Sequence, residues 1–211
     1  MFSVIFDMDG TLLDTQRICI PAWEYAGQMQ GFSGLGKYIE NVCGMNELGW
    51  KGYLKENFPQ MDIESFTFDA RDYIKKNGVV KYKKGAEELL TYLKQNNIKM
   101  GLASGSSRAS IEHHFSIVGG LENFDVVVAG MEVEKGKPAP DIFLKVAEQL
   151  GEKPENCYVF EDSNNGVKAG YSAGMKCIGI ADIAPFTIET KKLLTAELNS
   201  LDEAINIFET L

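Results

Sequence analysis

The sequence predicts an α/β protein: a doubly wound parallel sheet with a small helical insert after its first strand. Three observations carry that expectation. Beyond Gly78, short apolar strands alternate with amphipathic helices, the pattern of a parallel sheet covered on both faces. Between Thr15 and about Asn77, β-branched runs give way to recurring aromatic residues. Each polar cluster that could carry chemistry falls at or just after a strand end, where open α/β sheets bind ligands.

The first strand is Phe2-Ser3-Val4-Ile5-Phe6, and it ends in Asp7-Met8-Asp9-Gly10-Thr11-Leu12-Leu13-Asp14-Thr15. An Asp-Gly turn would suffice to stop a strand. The whole Asp-x-Asp-Gly-Thr-x-x-Asp-Thr run is far more specific. Two carboxylates one residue apart raise each other's pKa unless positive charge intervenes. A divalent cation is the expected partner. Thr15 is the expected N-cap of the next helix, with Pro21 in or breaking its first turns.

The insert is expected to be helical, with a loop at Gly31-Phe32-Ser33-Gly34-Leu35-Gly36 and a break at Pro59. Trp23, Tyr25, Phe32, Tyr38, Trp50, Tyr53, Phe58, Phe66, Phe68 and Tyr73 read as its core. The boundaries follow: residues 1–14 and 79–211 form the α/β core, and 15–78 the insert.

Past Gly78, Ala86–Gln95 has Leu89, Leu90 and Leu93 on one helical face. Ile98–Ala103 reads as a strand, Arg108–Val118 as a helix and Phe124–Ala129 as a strand. Pro138 or Pro140 opens a helix that runs to about Leu150. Cys157–Phe160 is a strand, Asn164–Gly174 a helix with a small-residue face, Met175–Ile180 a strand and Leu201–Phe208 a final helix.

Hydrophobic residues make up 45% of the 211-residue chain and charged residues 24%, ordinary values for a soluble globular protein. The net charge of −9 argues against nucleic-acid or anionic-membrane binding. It leaves a phosphorylated substrate open, because a local metal and lysine invert the field of a pocket. Cys19, Cys43, Cys157 and Cys177 are scattered without metal-ligand spacing, as expected of reduced thiols in a cytoplasmic protein. No signal-peptide pattern opens the chain, and no apolar stretch reaches the ~18 residues of a membrane span. A monomer is expected.

Four clusters then stand out: Asp7/Asp9, Ser104-Gly105, Lys137 and Glu161-Asp162. Their chemistries are complementary. Carboxylates from two strands can hold Mg²⁺. A hydroxyl and backbone amides at a helix start can hold a phosphate. A lysine faces phosphoryl oxygens, an aspartate can attack phosphorus, and a second carboxylate can serve as acid and base.

In this order and spacing the clusters resemble the four motifs of the haloacid dehalogenase-like hydrolase superfamily. The runs are Asp7–Thr15, Leu102-Ala103-Ser104-Gly105-Ser106, Gly136-Lys137-Pro138-Ala139-Pro140-Asp141-Ile142-Phe143, and Val159–Gly170 with Glu161-Asp162. The third and fourth look most like the β-phosphoglucomutase-like branch of phosphatases and phosphomutases. The resemblance covers essentially the whole chain and implies a Rossmann-like core with a helical cap. It implies Asp7 as nucleophile and Asp9 as general acid/base that also offers its backbone carbonyl to Mg²⁺. It implies a metal site from Asp7, Asp9, Glu161 and Asp162, and a phosphoryl site from Ser104, Gly105 and Lys137, with Asp14 at the cap hinge.

Asp9 points to phosphoryl transfer rather than carbon–halogen cleavage. Lys37, Lys51 and Lys55 read as a solvated cap face rather than imine-forming amines. A phosphomutase of this branch would carry His where this chain has Cys19, Gly-Val-Ser-Arg in place of Gly44-Met45-Asn46-Glu47, and Lys-Asn in place of Ser107-Arg108. A later cap lysine has no clear counterpart, although Arg71 stands near its place. Glu47 would repel a second phosphate. The expected activity is therefore a Mg²⁺-dependent phosphatase for a small phosphorylated metabolite, a sugar or polyol phosphate. The phosphomutase is the alternative, and a non-catalytic phospho-ligand-binding module lies further off. Arg108 is a candidate substrate contact. His113 and His114, about two turns beyond the strand end, read as surface or core.

Overall fold

Val4, Ile5 and Phe6 are fully buried, so the strand they form has to be central. In the computed structural model, which describes residues 2–210, β1 (Ser3–Phe6) is flanked by two parallel neighbours. On one side lie β2 (Met100–Ser104) and then β3 (Val126–Ala129). On the other lie β4 (Cys157–Glu161), β5 (Lys176–Gly179) and β6 (Leu194–Glu197). The six-stranded order is β3-β2-β1-β4-β5-β6, all parallel. The winding direction reverses between β1 and β4, which opens a crevice at their carboxyl ends.

Side chains alternate across this sheet. Val4 and Phe6 pack with Leu89 and Leu93 of α5 (Ala86–Gln95), Ile111 of α6 (Arg108–Val118) and Ala204 of α10 (Glu203–Phe208). Ile5 and Val159 face the other way, onto Phe143 and Val146 of α7 (Asp141–Leu150) and Ala169 of α8 (Asn164–Ser172). Small residues bring α8 close, as its pattern predicts: a Cβ at Gly166 would collide with the Glu161 carboxylate.

Between β1 and α5 the chain makes four helices: α1 (Cys19–Gln28), α2 (Ile39–Val42), α3 (Glu47–Asn57) and α4 (Ile63–Asn77). They bury their own cluster, with Trp23, Leu35, Leu54 and Phe66 at its centre. Phe68, by contrast, is 72% exposed.

Several local expectations change. Thr15 does not cap α1. The cap position is Ile18, and the Thr15 hydroxyl turns to Asp9 instead. A short helix α9 (Ile188–Lys191) and the edge strand β6 are additions, since neither shows an apolar run. All four cysteines are free thiols. Among the described residues no helix is long and apolar enough to cross a membrane.

Candidate active site

Asp7 stays in register with β4, its N–H donating to the Phe160 carbonyl at 3.0 Å. The chain then turns at Gly10, whose φ of +87° suits glycine alone, and a Cβ there would also strike Asp162 and the Gln16 amide. Next door, β4 ends in Glu161 and Asp162. One oxygen from each of Asp7, Glu161 and Asp162 can lie within 4.8 Å of the others, and all three residues are buried.

Lys137 arrives from the loop after β3 with its side chain 1% exposed. Its Nζ donates to Asp7 Oδ1 at 2.5 Å, Glu161 Oε1 at 2.6 Å and the Ala103 carbonyl at 3.2 Å. The second Glu161 oxygen accepts from the Ser163 amide and hydroxyl at 3.0 and 2.9 Å. Thr11 donates to Asp162 Oδ1 at 2.9 Å.

Charge does not balance in this cluster: three carboxylates face one ammonium. Burial pushes the Asp7 pKa up to about 8; Lys137 opposes the rise, and Glu161 and Asp9 add to it. Asp162 is also raised, by burial first and then by Glu161 and Asp7. Burial disfavours the Lys137 charge, but Asp7 and Glu161 outweigh it and raise its pKa. Isolated buried carboxylates are costly unless paired or metal-bound. An all-oxygen set short of positive charge fits a hard divalent cation.

Asp9 lies beside this cluster and is held by three hydroxyls. Thr15 donates to Oδ1 at 2.6 Å, while Ser106 and Ser104 donate to Oδ2 at 2.7 and 3.3 Å. Ser104 closes β2, and its Oγ also accepts from the Ser106 amide at 3.1 Å. The Gln16 side-chain amide donates to the Asp9 carbonyl at 2.5 Å. The structure thus brings Asp7, Asp9, Ser104, Gly105, Lys137, Glu161 and Asp162 to one end of the sheet.

Arg108 is not among them. Its guanidinium is bound to Glu132 Oε1 at 2.6 and 3.0 Å and to the Val127 carbonyl at 2.7 Å. His114, by contrast, reaches toward the cluster. Its Nδ1 lies 3.9 Å from Asp9 Oδ1, wholly buried and with no hydrogen-bond partner. Distance along α6 misleads here, because the turn after β1 folds back over the helix. Thr15, Gln16 and Ser106 are further additions; Thr15 and Ser106 had a signal, as the last residues of the first and second motifs, and Gln16 had none.

The helical insert roofs the site. The Met45 carbonyl lies over Gly105 and the Asn46 side chain over Gly136, so close that a Cβ on either glycine would crowd them. Gly44 packs on the Ser163 hydroxyl, and Asn165 donates to the Cys43 carbonyl at 3.2 Å. Glu47, at the start of α3, is bound by Arg71 at 2.8 Å and Lys51 at 3.0 Å.

The family model for haloacid dehalogenase-like hydrolases matches residues 4–180. The chain belongs to the haloacid dehalogenase-like hydrolases. This hydrolase is 33% identical over 181 residues to the phosphorylated carbohydrates phosphatase of Thermotoga maritima, covering 84% of each chain. It is 31% identical over 196 residues to the β-phosphoglucomutase of Bacillus subtilis, covering 88% of this chain and 85% of that one. Its fold matches the crystal structure of β-phosphoglucomutase from Clostridium difficile with a TM-score of 0.81 at 26% identity, over 99% of this chain and 96% of that one.

Proposed function

We propose that this hydrolase is a Mg²⁺-dependent phosphatase for a small phosphorylated metabolite, a sugar or polyol phosphate, with Asp7 as its nucleophile. One observation carries the reading. Lys137 holds Asp7 Oδ1, while no donor among the described residues engages Oδ2, which leaves that oxygen to attack phosphorus.

In the first step Asp7 Oδ2 forms a bond to phosphorus and the ester oxygen leaves, taking a proton from the Asp9 carboxyl. In the second, Asp9 takes a proton from water as the water oxygen attacks the aspartyl phosphate. Inorganic phosphate leaves and Asp7 is restored. Ser104 and the Gly105 amide hold the phosphoryl oxygens, and Lys137 offsets their charge. Asp7, Asp162 and the Asp9 carbonyl would hold Mg²⁺, with Glu161 beside them; the ion supplies further charge neutralisation at the phosphoryl group. Residues 15–78 act as the cap that shields the transfer from water.

Commitment of Arg71 and Lys51 to Glu47 favours hydrolysis over a mutase, which needs a cap cation for a second phosphate. The similarity to a β-phosphoglucomutase keeps the mutase as the second reading. A phosphate-release screen over sugar and polyol phosphates with Mg²⁺ tests the first, with Asp7→Asn as the inactive control. β-Glucose 1-phosphate with a bisphosphate activator separates the two: free phosphate supports the phosphatase, and glucose 6-phosphate overturns it.

A further inference from the structure

Gln16 is a buried polar residue that the reaction above does not use. Both ends of its amide are engaged. Nε2 donates to the Asp9 backbone carbonyl at 2.5 Å, and Oε1 accepts from the Cys43 thiol of the helical insert at 3.3 Å. The amide also lies directly over Gly10. The point where a Gly10 side chain would begin is 2.6 Å from Gln16 Nε2 and 2.5 Å from Asp162 Oδ2. Nε2 therefore lies close to both the Asp9 carbonyl and Asp162 Oδ2, oxygens of two residues that the proposed function gives to the cation.

We infer that the Gln16 amide competes with the divalent cation for the Asp9 carbonyl, and that its link to Cys43 makes cation binding and the position of the helical insert depend on each other. The inference rests on the cation assignment in the proposed function. An amide N–H carries partial positive charge, and a small divalent cation sits about 2.1 Å from each oxygen it binds. The two would repel each other at that carbonyl. Cation binding therefore turns the amide away, and Oε1 moves with it.

Cys43 is built to follow. Burial raises its pKa, so the thiol keeps its proton at neutral pH. That one proton has two acceptors in reach, Gln16 Oε1 and the Ile39 carbonyl at 3.2 Å. When Gln16 turns, the thiol settles on Ile39 and the tie between the site and the insert is cut. Linkage is reciprocal: whatever moves Cys43 away from Gln16 also changes cation affinity.

The test is Mg²⁺ titration of the metal-stripped full chain by calorimetry, alongside the fluorescence of Trp23 and Trp50, both in the insert. Gln16→Leu keeps the bulk and removes the competing donor. It is expected to bind Mg²⁺ about three- to tenfold more tightly, the scale of one net hydrogen bond. The Mg²⁺-induced tryptophan change, present in the wild type, is expected to vanish in Gln16→Leu and in Cys43→Ala. Gln16→Met serves as a second variant should Gln16→Leu fail to fold by circular dichroism. Unchanged or weaker Mg²⁺ affinity in the folded variant overturns the competition, and a retained tryptophan response overturns the coupling. No Mg²⁺ binding by the wild type, or undiminished binding by Asp162→Asn, shows instead that the cation assignment has failed, and the inference falls with it.

Discussion

Lys137 Nζ stands 2.5 Å from Asp7 Oδ1 and 2.6 Å from Glu161 Oε1, and it is the ammonium that these two buried carboxylates share. Lys137→Ala would leave Asp7 and Glu161 facing each other without a counter-charge. Removing one partner from a buried pair costs about 3–5 kcal/mol. The loss of melting temperature is expected to be large at about pH 8 and smaller at about pH 5, where protons replace the ammonium. Turnover should drop by about a hundredfold or more. Thermal melts at the two pH values check the first part; an equal loss at both would contradict it.

A second prediction concerns pH and metal together. Asp7 has its pKa raised from 3.8 to about 8, so its folded value lies above its unfolded one. The stability it contributes is complete below the unfolded value and is lost as pH rises through about 8. The metal-free protein should therefore melt at progressively lower temperature between about pH 5 and pH 9. Mg²⁺ favours the ionised carboxylates, so the stabilisation it gives should be greater at the alkaline end. Melting curves with a chelator and with Mg²⁺ measure both; greater Mg²⁺ stabilisation at pH 5 would count against this account of the cluster.

His114 is expected to position Asp9. A buried ring nitrogen without a partner is costly, and the Asp9 carboxylate is its neighbour at 3.9 Å. His114→Ala should slow breakdown of the phospho-enzyme about tenfold, or about 1.4 kcal/mol in the barrier, with little change in KM. His114→Asn, whose amide nitrogen can stand near the place of Nδ1, should recover most of that rate. Rapid-quench measurement of phospho-enzyme decay decides; a His114→Ala rate equal to wild type would remove the role.

Asp182 joins the two connections between sheet and insert. Its Oδ1 accepts from Arg17, ahead of α1, at 3.0 Å and from Lys83, ahead of α5, at 2.6 Å, and its side chain is wholly buried. Asp182→Ala strands Lys83 more than the largely exposed Arg17. It should cost about 1–3 kcal/mol, a drop of several degrees in melting temperature. Trypsin should then cut the two connections faster. An unaltered digestion pattern would show that Asp182 does not restrain them.

Much of this architecture can be read from the chain because local pattern and tertiary context agree. The leucine face of α5 yields Ala86–Gln95 directly from the sequence, and Arg108–Val118 is found with the bounds read there. The edge strand β6 escapes because it is only half buried and pairs with β5 across an irregular register. At the site, carboxylates and lysine announce themselves by motif, whereas Gln16 and His114 become neighbours of Asp9 only when the first turn folds over α6. Arg108 carries the right charge in the right motif, yet Glu132, a separate stretch of chain, claims it.

The roof has a consequence for how this protein can change. Met45 and Asn46 rest on Gly105 and Gly136, two stretches of bare backbone. At these two points the floor offers no side chain for the roof to match. Mutations at position 45 thus need no compensating change below, whereas Asn46 also caps α3 through Gly49. Mutations in the floor have no such freedom, since any added carbon there props the roof open. Evolution of new substrates in this lineage should accordingly be recorded in the roof.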